Sequence, residues 1–532
     1  MLNSTKNLSC LYFIAVVFVG CTGGISKDVK SVNNGAAAKD SKPNIIYILA
    51  DDLGYGDLGV YGQELIETPN IDLLAKEGML FTQHYSSAPV CAPARFSLLT
   101  GKHSGHSFIR GNDGWKERGD VWNYKAAIAD STLEGQRPIP SKTVLFPKML
   151  QEQGYKTGMV GKWGLGAPHT DAIPTKMGFD FFYGYNCQRQ AHTYYPVHLY
   201  KNEKRVYLKN DTIPPGTKLE EGASPYDAKS YEQFNKGLYS PDLMFDKVLS
   251  FINQNKDQPF FMYWATPLPH VALQAPARWV NYYVEKFGDE EPYLGQKGYF
   301  PSKNPHATYA AMISYLDENV GKLVSYLKSK GLYENTLIVF SSDNGPSFAG
   351  GAEPTYFDSA KPFKSEFGRG KGFLYEGGIR VPMIATWPKR IKAGTKTDHV
   401  SIQYDLASTL GDLLGFQMPG SDGISFLPTL YGDQQSQLEH EFLMWAYPEY
   451  GGQAAIRMDD WKLVRQHLKD QKAPTLELYN LGQDKAERYN VAQKYPDIVA
   501  KAVEIFDEQY EEPDLKVFSI PLISESLLIK DQ

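Results

Sequence analysis

Short apolar runs, each followed by turn residues and then by helix-like periodicity, recur between Pro43 and Pro388. The runs are continuous rather than alternating, which is the pattern of strands that are buried on both faces in a parallel sheet. They lie at residues 45–49, 158–160, 260–264 and 337–340. A long helix is predicted over residues 307–330, where apolar residues recur at helical spacing and Gly331 follows as a stop signal. The pattern predicts a large α/β domain.

The pattern changes after Pro388. The predicted segments there are a helix near 404–414, strands near 442–446, 454–458 and 461–464, and a helix near 496–508. Three short strands in succession, followed by a helix, predict a smaller domain with an antiparallel sheet. We therefore expect a large domain over residues 43–395 and a C-terminal α+β subdomain over residues 396–532.

The composition is that of a folded protein, with 42% hydrophobic and 13% aromatic residues. A disordered chain would contain few aromatic residues. The 55 Lys and Arg residues against 61 Asp and Glu give a net charge of −6, and no block of like charges is present. This balance argues against electrostatic binding of nucleic acid, and we expect no nucleic-acid partner.

The N-terminal segment has the features of an export signal. Lys6 precedes an apolar run over residues 8–20, which is shorter than the about 20 residues that span a bilayer and matches a secretory signal peptide. The run ends at Cys21 in a sequence that resembles a lipobox, although an ordinary signal peptide (residues 1–20) with an incidental cysteine is the alternative. Residues 21–42 are polar and rich in Gly, Ala and Ser, as in a flexible tether. We expect an exported protein, in the periplasm or at the cell surface, that a lipid on Cys21 anchors to a membrane.

The four cysteines are too few for a disulfide scaffold, and no CxxC pair indicates a zinc site. Cys10 and Cys21 belong to the leader. Cys91 and Cys187 remain in the predicted fold, and they could pair in an exported compartment.

Polar side chains follow four of the predicted strands at the points where the strands end. In chain order they are Asp51, Asp52, Lys162, His270, Asp343 and Asn344. Because ligands of open α/β sheets bind beyond the carboxyl ends of the strands, we expect these side chains to form one anion site. The three aspartates and Asn344 offer hard oxygen ligands, which suit Ca²⁺ or Mg²⁺ and suit Zn²⁺ poorly. The sequence predicts a single divalent cation, which we take as Ca²⁺, one per chain.

A helix is predicted to begin at or just after Cys91, in the sequence CAPARFSLLTG. A helix N-terminus presents free N–H groups and a positive dipole end, both of which favour an anion. From the residues alone, Cys91 is either a buried structural cysteine or a thiolate nucleophile that this helix end activates.

Five blocks of the sequence carry a family resemblance. Cys91-x-Pro-x-Arg with Thr100-Gly101 is one block, and the others lie at residues 44–54, 154–163, 341–345 and 371–382. In content and order they resemble the formylglycine-dependent type I sulfatases of the alkaline-phosphatase-like superfamily, over about residues 43–465. The resemblance implies a mixed, mostly parallel sheet between helices, a smaller C-terminal domain with an antiparallel sheet, and hydrolysis of sulfate esters.

The resemblance also implies roles for residues at the matching positions. Cys91 would be oxidised to formylglycine by a sulfatase-maturating enzyme, and a hydroxyl of the hydrated aldehyde would attack sulfur. Arg95 would lie beside the hydrate, Lys162 and Lys371 would bind sulfate oxygens, and His270 would protonate the leaving oxygen. The implied ligands of the cation are Asp51, Asp52, Asp343, Asn344 and the modified Cys91.

The chain departs from the family pattern at two positions. Ala94 stands where serine is commonest, which leaves Pro93 and Arg95 of the maturation motif intact. Gly164 stands where the family has a histidine that contacts the formylglycine. The nearby histidines that could supply an imidazole instead are His103, His106 and His169, and the sequence does not choose among them.

The residues that recognise the substrate are less clearly marked in the sequence. Candidates are Arg110, Asn112, Arg189 and His192, with Gln453 as a contribution from the smaller domain. The similarity to lipoprotein sulfatases of polysaccharide-degrading bacteria favours a sulfated saccharide with galactose or N-acetylgalactosamine units. Two alternatives stay open: a phosphate ester hydrolase on the same fold, and a catalytically inactive glycan-binding lipoprotein on the cell surface.

Overall fold

The computed structural model describes residues 42–469 and 473–521, so the predicted signal peptide, most of the tether and Cys21 lie outside the described residues. The strands are β1 Asn44–Ala50, β2 Met79–Phe81, β3 His84–Tyr85, β4 Lys156–Lys162, β5 Phe181–Tyr185, β6 His198–Lys201, β7 Lys204–Tyr207, β8 Phe260–Ala265, β9 Thr336–Ser342, β10 Met383–Thr386, β11 Thr395–Thr397, β12 Ser401–Ile402, β13 Leu443–Tyr447, β14 Gln453–Met458, β15 Trp461–Gln466 and β16 Thr475–Asn480. The α-helices are α1 Pro69–Glu77, α2 Cys91–Thr100, α3 Tyr124–Ala129, α4 Phe146–Glu152, α5 Ser240–Asn255, α6 Ala277–Phe287, α7 Pro305–Ser329, α8 Pro354–Phe357, α9 Glu376–Ile379, α10 Asp405–Leu414, α11 Leu427–Tyr431 and α12 Pro496–Gln509.

Ten strands form the central sheet, in the order β11-β2-β10-β9-β1-β8-β4-β5-β6-β7. The middle strands β9, β1, β8, β4 and β5 are parallel to one another. Strand β10 pairs antiparallel with β9, and β6 pairs antiparallel with β5, which makes the sheet mixed. The predicted fold class is confirmed.

Helices cover both faces of this sheet, because alternate side chains of each central strand enter different cores. Ile46 and Ile48 of β1 pack in the core beneath α5 and α7, whereas Ile45 and Leu49 pack in the core beneath α2 and α10. The predicted long helix is confirmed as α7, which starts at Pro305, a favourable first helical residue, and ends before Gly331.

The C-terminal part contains a second sheet of four antiparallel strands, β13 to β16. Helix α12 packs on one face through Val499 and Phe506. The other face contributes Trp445 and Val464 to a core that also contains Tyr85. Strand β16 was not predicted from the sequence, because its apolar residues alternate with polar ones over only six positions.

Cys91 and Cys187 are both buried and free, so the disulfide that the sequence allowed is absent between them. Their sulfur atoms face different partners, the Asp51 carboxylate and the Gly166 carbonyl respectively. Within the described ranges, no helix combines the length and the apolarity that crossing a membrane requires.

Candidate active site

The polar side chains that follow the central strands lie together at the carboxyl edge of the sheet. Strands β9, β1, β8 and β4 are neighbours in that order, so the residues after them converge. Asp51 and Asp52 follow β1, Asp343 follows β9, Lys162 ends β4, and His270 lies five residues beyond β8. All five side chains are buried.

Helix α2 brings Cys91 to this edge as its first residue. Val90 before it is extended and offers no side-chain cap, so the first N–H groups of the helix are free for other acceptors. One of them, Ala92 N–H, donates to the Asn112 amide oxygen at 3.1 Å. Cys91 Sγ lies 3.3 Å from Asp51 Oδ1 and 3.3 Å from Lys162 Nζ.

Ion pairs connect the buried charges around Cys91. Lys162 Nζ lies 2.5 Å from Asp51 Oδ2, and Lys371 Nζ lies 2.7 Å from Asp52 Oδ2. The Arg95 guanidinium lies 2.8 Å from Asp343 and 3.4 Å from Asp51, and it also donates to the Lys162 carbonyl at 2.6 Å. Three carboxylates therefore face three permanent cations. We call these six residues the active-site cluster.

The three carboxyl groups differ in how far their charge is compensated. Although burial opposes ionisation, Lys162 and His270 hold the pKa of Asp51 well below its ordinary value. Burial, together with the charge of Asp51, raises the pKa of Asp343 to about 6. Burial also raises the pKa of Asp52, despite the Lys371 ammonium beside it. The Lys371 and Arg95 charges thus do not fully offset the effect of burial at Asp52 and Asp343, and a divalent cation would add positive charge there.

The donor atoms at this edge fit such a cation. Asn344 Nδ2 donates to Asp52 Oδ1 at 2.8 Å, whereas its Oδ1 atom is buried and accepts no hydrogen bond. A buried amide oxygen without a partner is costly unless a cation or a water satisfies it. Ligand atoms of Asp51, Asp52, Cys91 and His270 all lie within 4.8 Å of one another. Two of these four ligand atoms are carboxylate oxygens, and the unpartnered Asn344 Oδ1 would add a third oxygen, which suits Ca²⁺ or Mg²⁺.

A cavity of about 220 Å³ opens above the cluster. Its floor contains Cys91, Lys162, His270 and Lys371. The remaining lining residues include Asn112, Asp113, Trp122, Gln136, Gln188, Arg189, His192, Tyr299, Ser347, Ala349 and Tyr450. Arg95 is not part of the lining, because its guanidinium is turned towards Asp343 below.

Three of the four predicted recognition residues line this cavity. Asn112 caps the start of α2, Arg189 stacks on the Trp122 ring with its guanidinium 4.6 Å from the ring centroid, and His192 stacks on His270 at 5.6 Å. Arg110 is placed elsewhere: it donates to the Gly105 and Ser107 carbonyls and lies over the Tyr510 ring. Arg110 therefore lies outside the cavity above Cys91.

None of the three histidines that the sequence offered in place of the residue at Gly164 lines the cavity. His103 and His106 stack on each other at 4.0 Å beside Asp422, and His169 contacts Ser131. His103 Nδ1 accepts the Gly105 N–H, so the ring proton is on Nε2 and this pair with Asp422 is a poor metal site.

The space beside Gly164 is filled by Gln188, which precedes the predicted recognition residue Arg189 in the chain. A Cβ atom on Gly164 would lie 3.0 Å from Gln188 Cγ and 3.1 Å from its Nε2. The Nε2 atom is buried and has no acceptor.

Two residues that line the cavity, Tyr299 and Tyr450, were not predicted from the sequence. Both belong to loops, and their backbone φ angles are positive, 62° and 51° respectively. Such backbone conformations leave no signature in a single sequence.

The loop that carries Lys371 is fixed at both ends. Lys371 N–H donates to the Pro346 carbonyl, and Gly372 N–H donates to the Pro89 carbonyl, both at 2.9 Å. Gln453, the first residue of β14, donates to the Gly372 carbonyl at 2.7 Å and accepts from Leu374 N–H at 3.2 Å. Gln453 therefore supports the Lys371 loop and does not line the cavity.

The chain resembles known proteins over most of its length. Residues 43–416 match the family model described as Sulfatase, and residues 366–511 match the model described as N-sulphoglucosamine sulphohydrolase, C-terminal. N-acetylgalactosamine-6-sulfatase of Canis lupus familiaris is 33% identical over 409 residues, which cover 75% of this chain and 68% of that protein. N-acetylgalactosamine-6-O-sulfatase of Bacteroides thetaiotaomicron is 28% identical over 568 residues, which cover 95% and 99%.

Among solved structures, the crystal structure of Ps i-CgsB is similar, with a TM-score of 0.68 and 28% identity over 90% of this chain and 94% of that one. The matched family region includes every strand end that contributes to the active-site cluster. From this agreement of sequence, fold and site we conclude that the chain belongs to the sulfatase family and is a sulfuric ester hydrolase.

Proposed function

We propose that the protein hydrolyses sulfate esters on galactose or N-acetylgalactosamine units of a carbohydrate, by way of a formylglycine formed from Cys91. The observation that carries this proposal is the position of Cys91 on the cavity floor, with its Sγ 3.3 Å from both a carboxylate and an ammonium group. Formylglycine supplies a hydrated aldehyde, whose hydroxyl attacks sulfur and whose hemiester expels sulfate by re-forming the carbonyl.

The cationic residues divide into two groups by their contacts. Lys162 and Lys371 line the cavity, and in the proposal they bind sulfate oxygens and offset the negative charge that develops in the transition state. Arg95 lies beneath the floor, where Asp343, Asp51 and the Lys162 carbonyl occupy its guanidinium. We therefore assign Arg95 a positioning role, in which it fixes the two carboxylates and the end of β4.

His270 is the proposed proton donor to the leaving oxygen. Its Nδ1 contacts the Val271 carbonyl, which fixes the ring with Nε2 directed towards Asp52, 3.6 Å away on the cavity floor. Because a carbonyl only accepts hydrogen bonds, Nδ1 carries a proton here, and His270 would act as general acid in the imidazolium form, with the transferable proton on Nε2. A sugar alkoxide is a poor leaving group, so the contribution of His270 should be larger for glycans than for activated aryl sulfates.

Asp51, Asp52, Asp343 and Asn344, with the group formed from Cys91, are the proposed ligands of one Ca²⁺ per chain. A bound divalent cation would polarise a sulfate oxygen and lower the pKa of the attacking hydroxyl. The partnerless Asn344 Oδ1 and the weakly compensated Asp52 and Asp343 support this assignment. Dialysis of the matured protein against a Ca²⁺ chelator should abolish turnover, and added Ca²⁺ should restore it; turnover that persists would contradict the assignment.

Three residues at the mouth of the cavity are proposed to contact the sugar: Asn112, Arg189 and His192. Amide, guanidinium and imidazole groups donate hydrogen bonds to hydroxyl groups. The preference for galactose or N-acetylgalactosamine is supported by the names of the relatives from dog and from Bacteroides thetaiotaomicron, both of which are N-acetylgalactosamine sulfatases.

The cellular setting is proposed from the sequence. A signal peptide over residues 1–20, lipidation of Cys21 and a tether over residues 21–42 would place the enzyme in the periplasm or at the cell surface, anchored to a membrane by lipid. A sulfatase-maturating enzyme would be a transient partner. The catalytic domain is proposed over residues 43–395 and the C-terminal subdomain over residues 396–532.

A mass map of the peptide that covers residues 87–102 tests the central step. The protein should be produced with a sulfatase-maturating enzyme, and Cys91 should then show the mass loss of thiol-to-aldehyde conversion. Cys187, which is equally buried, is the internal control and should remain a thiol. The same preparation should release sulfate from N-acetylgalactosamine 6-sulfate.

Two other results would favour a different function. An unmodified Cys91 with hydrolysis of a phosphate monoester would favour a phosphate ester hydrolase, and that activity should survive Cys91→Ser. An unmodified Cys91 with binding of a sulfated glycan and no turnover would favour an inactive binding protein.

A further inference from the structure

Four aromatic rings form a continuous row on the surface, which we call the aromatic strip: Tyr450, Phe373, Phe367 and Phe348. Successive ring centroids are 5.5, 6.0 and 5.7 Å apart, and each pair meets edge to face. Rings at these separations are in direct contact. The strip is therefore a single apolar surface, although its residues come from three separate loops.

Two rings of the strip, Phe367 and Tyr450, are exposed to solvent, and the other two, Phe348 and Phe373, are half-buried. Phe367 is 75% exposed, more than any other large apolar side chain in the described ranges, and Tyr450 is 57% exposed. A single exposed apolar side chain is normal on a protein surface, whereas a contiguous row is typical of a ligand-binding surface. Phe373 packs partly against a core, whereas neither of the two exposed rings belongs to one.

The strip begins inside the cavity described above. Tyr450 lines that cavity, as do Ser347 and Ala349, which flank Phe348 on either side. Lys371, on the cavity floor, precedes Phe373 by two residues in the same loop. A molecule whose sulfate lies against Lys371 therefore meets the strip where it leaves the cavity.

The size of the cavity indicates what would extend over the strip. At about 220 Å³, the cavity is smaller than the roughly 300–1,000 Å³ of pockets for drug-sized ligands, so it has room for about one sugar ring. Any further sugar residues must lie outside. The C–H faces of pyranose rings pack against aromatic rings, and the strip offers four such rings in a row.

We propose that the aromatic strip is a binding surface for the saccharide chain attached to the sulfated residue. This inference rests on the proposed function, because it takes the cavity as the sulfate ester site. It makes the natural substrate an oligosaccharide or a polysaccharide rather than a free monosaccharide. It also separates the two tasks of the enzyme, since charge selects the sulfate in the cavity and apolar contact selects the chain outside it.

The test compares Phe367→Ala with Tyr489→Ala. Tyr489 is 71% exposed and lies outside the cavity lining, so its loss is a matched truncation of an exposed ring. Turnover is measured on N-acetylgalactosamine 6-sulfate and on a hexasaccharide that ends in the same residue. Phe367→Ala should lower the hexasaccharide-to-monosaccharide ratio of kcat/KM about tenfold. Phe367→Trp should restore the ratio, and Tyr489→Ala should leave it unchanged.

A binding measurement keeps the inference separate from the proposed function. Retention of the full chain is measured by affinity electrophoresis in gels that contain chondroitin 6-sulfate or carrageenan, with no turnover required. Weaker retention of Phe367→Ala than of Tyr489→Ala supports the strip even if no sulfate ester is hydrolysed. Equal retention of the two variants, or no retention of the unaltered protein in either gel, overturns the inference. If the unaltered protein does not turn over the monosaccharide, that result counts against the proposed function alone.

Discussion

Two groups of buried charges in this molecule look alike in composition and differ in what surrounds them. One is the active-site cluster at the edge of the central sheet. The other, here called the junction cluster, lies where the C-terminal sheet meets the large domain and consists of Glu376, Arg380, Arg457, Lys462 and Glu487. Each combines carboxylates with Lys and Arg side chains at very low exposure.

The charged side chains of the junction cluster are held by contacts with one another. Lys462 Nζ lies 2.9 Å from both Glu376 and Glu487, and Arg380 lies 2.6 Å from the other oxygen of Glu376. Tyr85 adds a hydrogen bond to Glu376 and receives one from Arg457. None of these residues lines the cavity above Cys91.

The active-site cluster, by contrast, can be reached from a cavity. It leaves Asn344 Oδ1 without a donor, keeps a thiol among charged groups, and forms the floor of a cavity. Buried charge alone therefore does not mark a reactive site, since both clusters have it. The cavity above Cys91, which Lys162 and Lys371 line, is what distinguishes the active-site cluster.

The largest effect is expected from a substitution that removes the nucleophile and leaves every charged group in place. Cys91→Ala should lower kcat by about 10⁴-fold or more, because the nucleophile is lost. The free energy of unfolding should fall by only about 1 kcal/mol, since a small buried group is removed. Kinetics on N-acetylgalactosamine 6-sulfate and urea unfolding measure the two effects. Cys187→Ala is the control: it should cost similar stability and retain turnover, and equal activity of the two variants would refute the distinction.

The opposite result is expected at the junction cluster. Lys462→Met leaves Glu376 and Glu487 without the cation between them, and the free energy of unfolding should fall by about 3–5 kcal/mol. Urea unfolding measures this loss. Lys176→Met removes a solvent-exposed pair with Asp171 and should leave the free energy of unfolding almost unchanged. A comparably small effect of Lys462→Met would show that the junction cluster does not depend on its central cation.

The junction cluster should also show in the response to acid. Burial opposes ionisation of Glu376, yet Lys462 and Arg380 lower its pKa to about 2 from an ordinary value of 4.5. Because the folded-state pKa is lowered, the stabilisation is complete above pH 4.5 and is lost as the pH falls towards 2. Urea midpoints measured from pH 5 to pH 3 should fall more steeply for the unaltered protein than for Glu376→Gln. Parallel curves would exclude Glu376 as a source of acid sensitivity.

The smallest effect concerns the wall of the cavity. Gly164 has a φ of 76°, and a Cβ there would lie 3.0 Å from Gln188, so Gly164→Ala should cost about 1–2 kcal/mol. Gly432 has a φ of 78°, and a Cβ there would meet no atom within 4 Å, so Gly432→Ala reports the backbone strain alone. The difference between the two variants in urea unfolding measures the contact with Gln188. No difference would mean that Gln188 moves aside freely.

The residues whose positions could be predicted from the sequence are those that the order of the strands alone brings together. Asp51, Lys162 and Asp343 end neighbouring parallel strands, and the geometry of such a sheet places them at one edge whatever the loops do. The long buried strands and helix α7 were predictable for a related reason, since continuous or periodic apolarity records burial directly.

Residues contributed by loops could not be predicted in this way. Tyr299 and Tyr450 reach the cavity from loops whose paths depend on contacts made elsewhere in the fold. Arg110 carries a group suited to recognition, but nearby carbonyls occupy its guanidinium. The junction cluster left no signal in the sequence, because its residues lie on or directly after α9, on the antiparallel strands β14 and β15 and in a loop, and not at the ends of parallel strands.

The hydrogen bonds from Gln453 to the loop of Lys371 have a consequence for biosynthesis. A nascent chain that has emerged only as far as Lys371 already contains every residue proposed to touch the sulfate. It lacks the strand that fixes the Lys371 loop, and it lacks Lys462, which pairs with Glu376 in the junction cluster. Catalytic competence therefore arrives late in translation, and a prematurely terminated polypeptide would carry the reactive groups without the framework that aligns them.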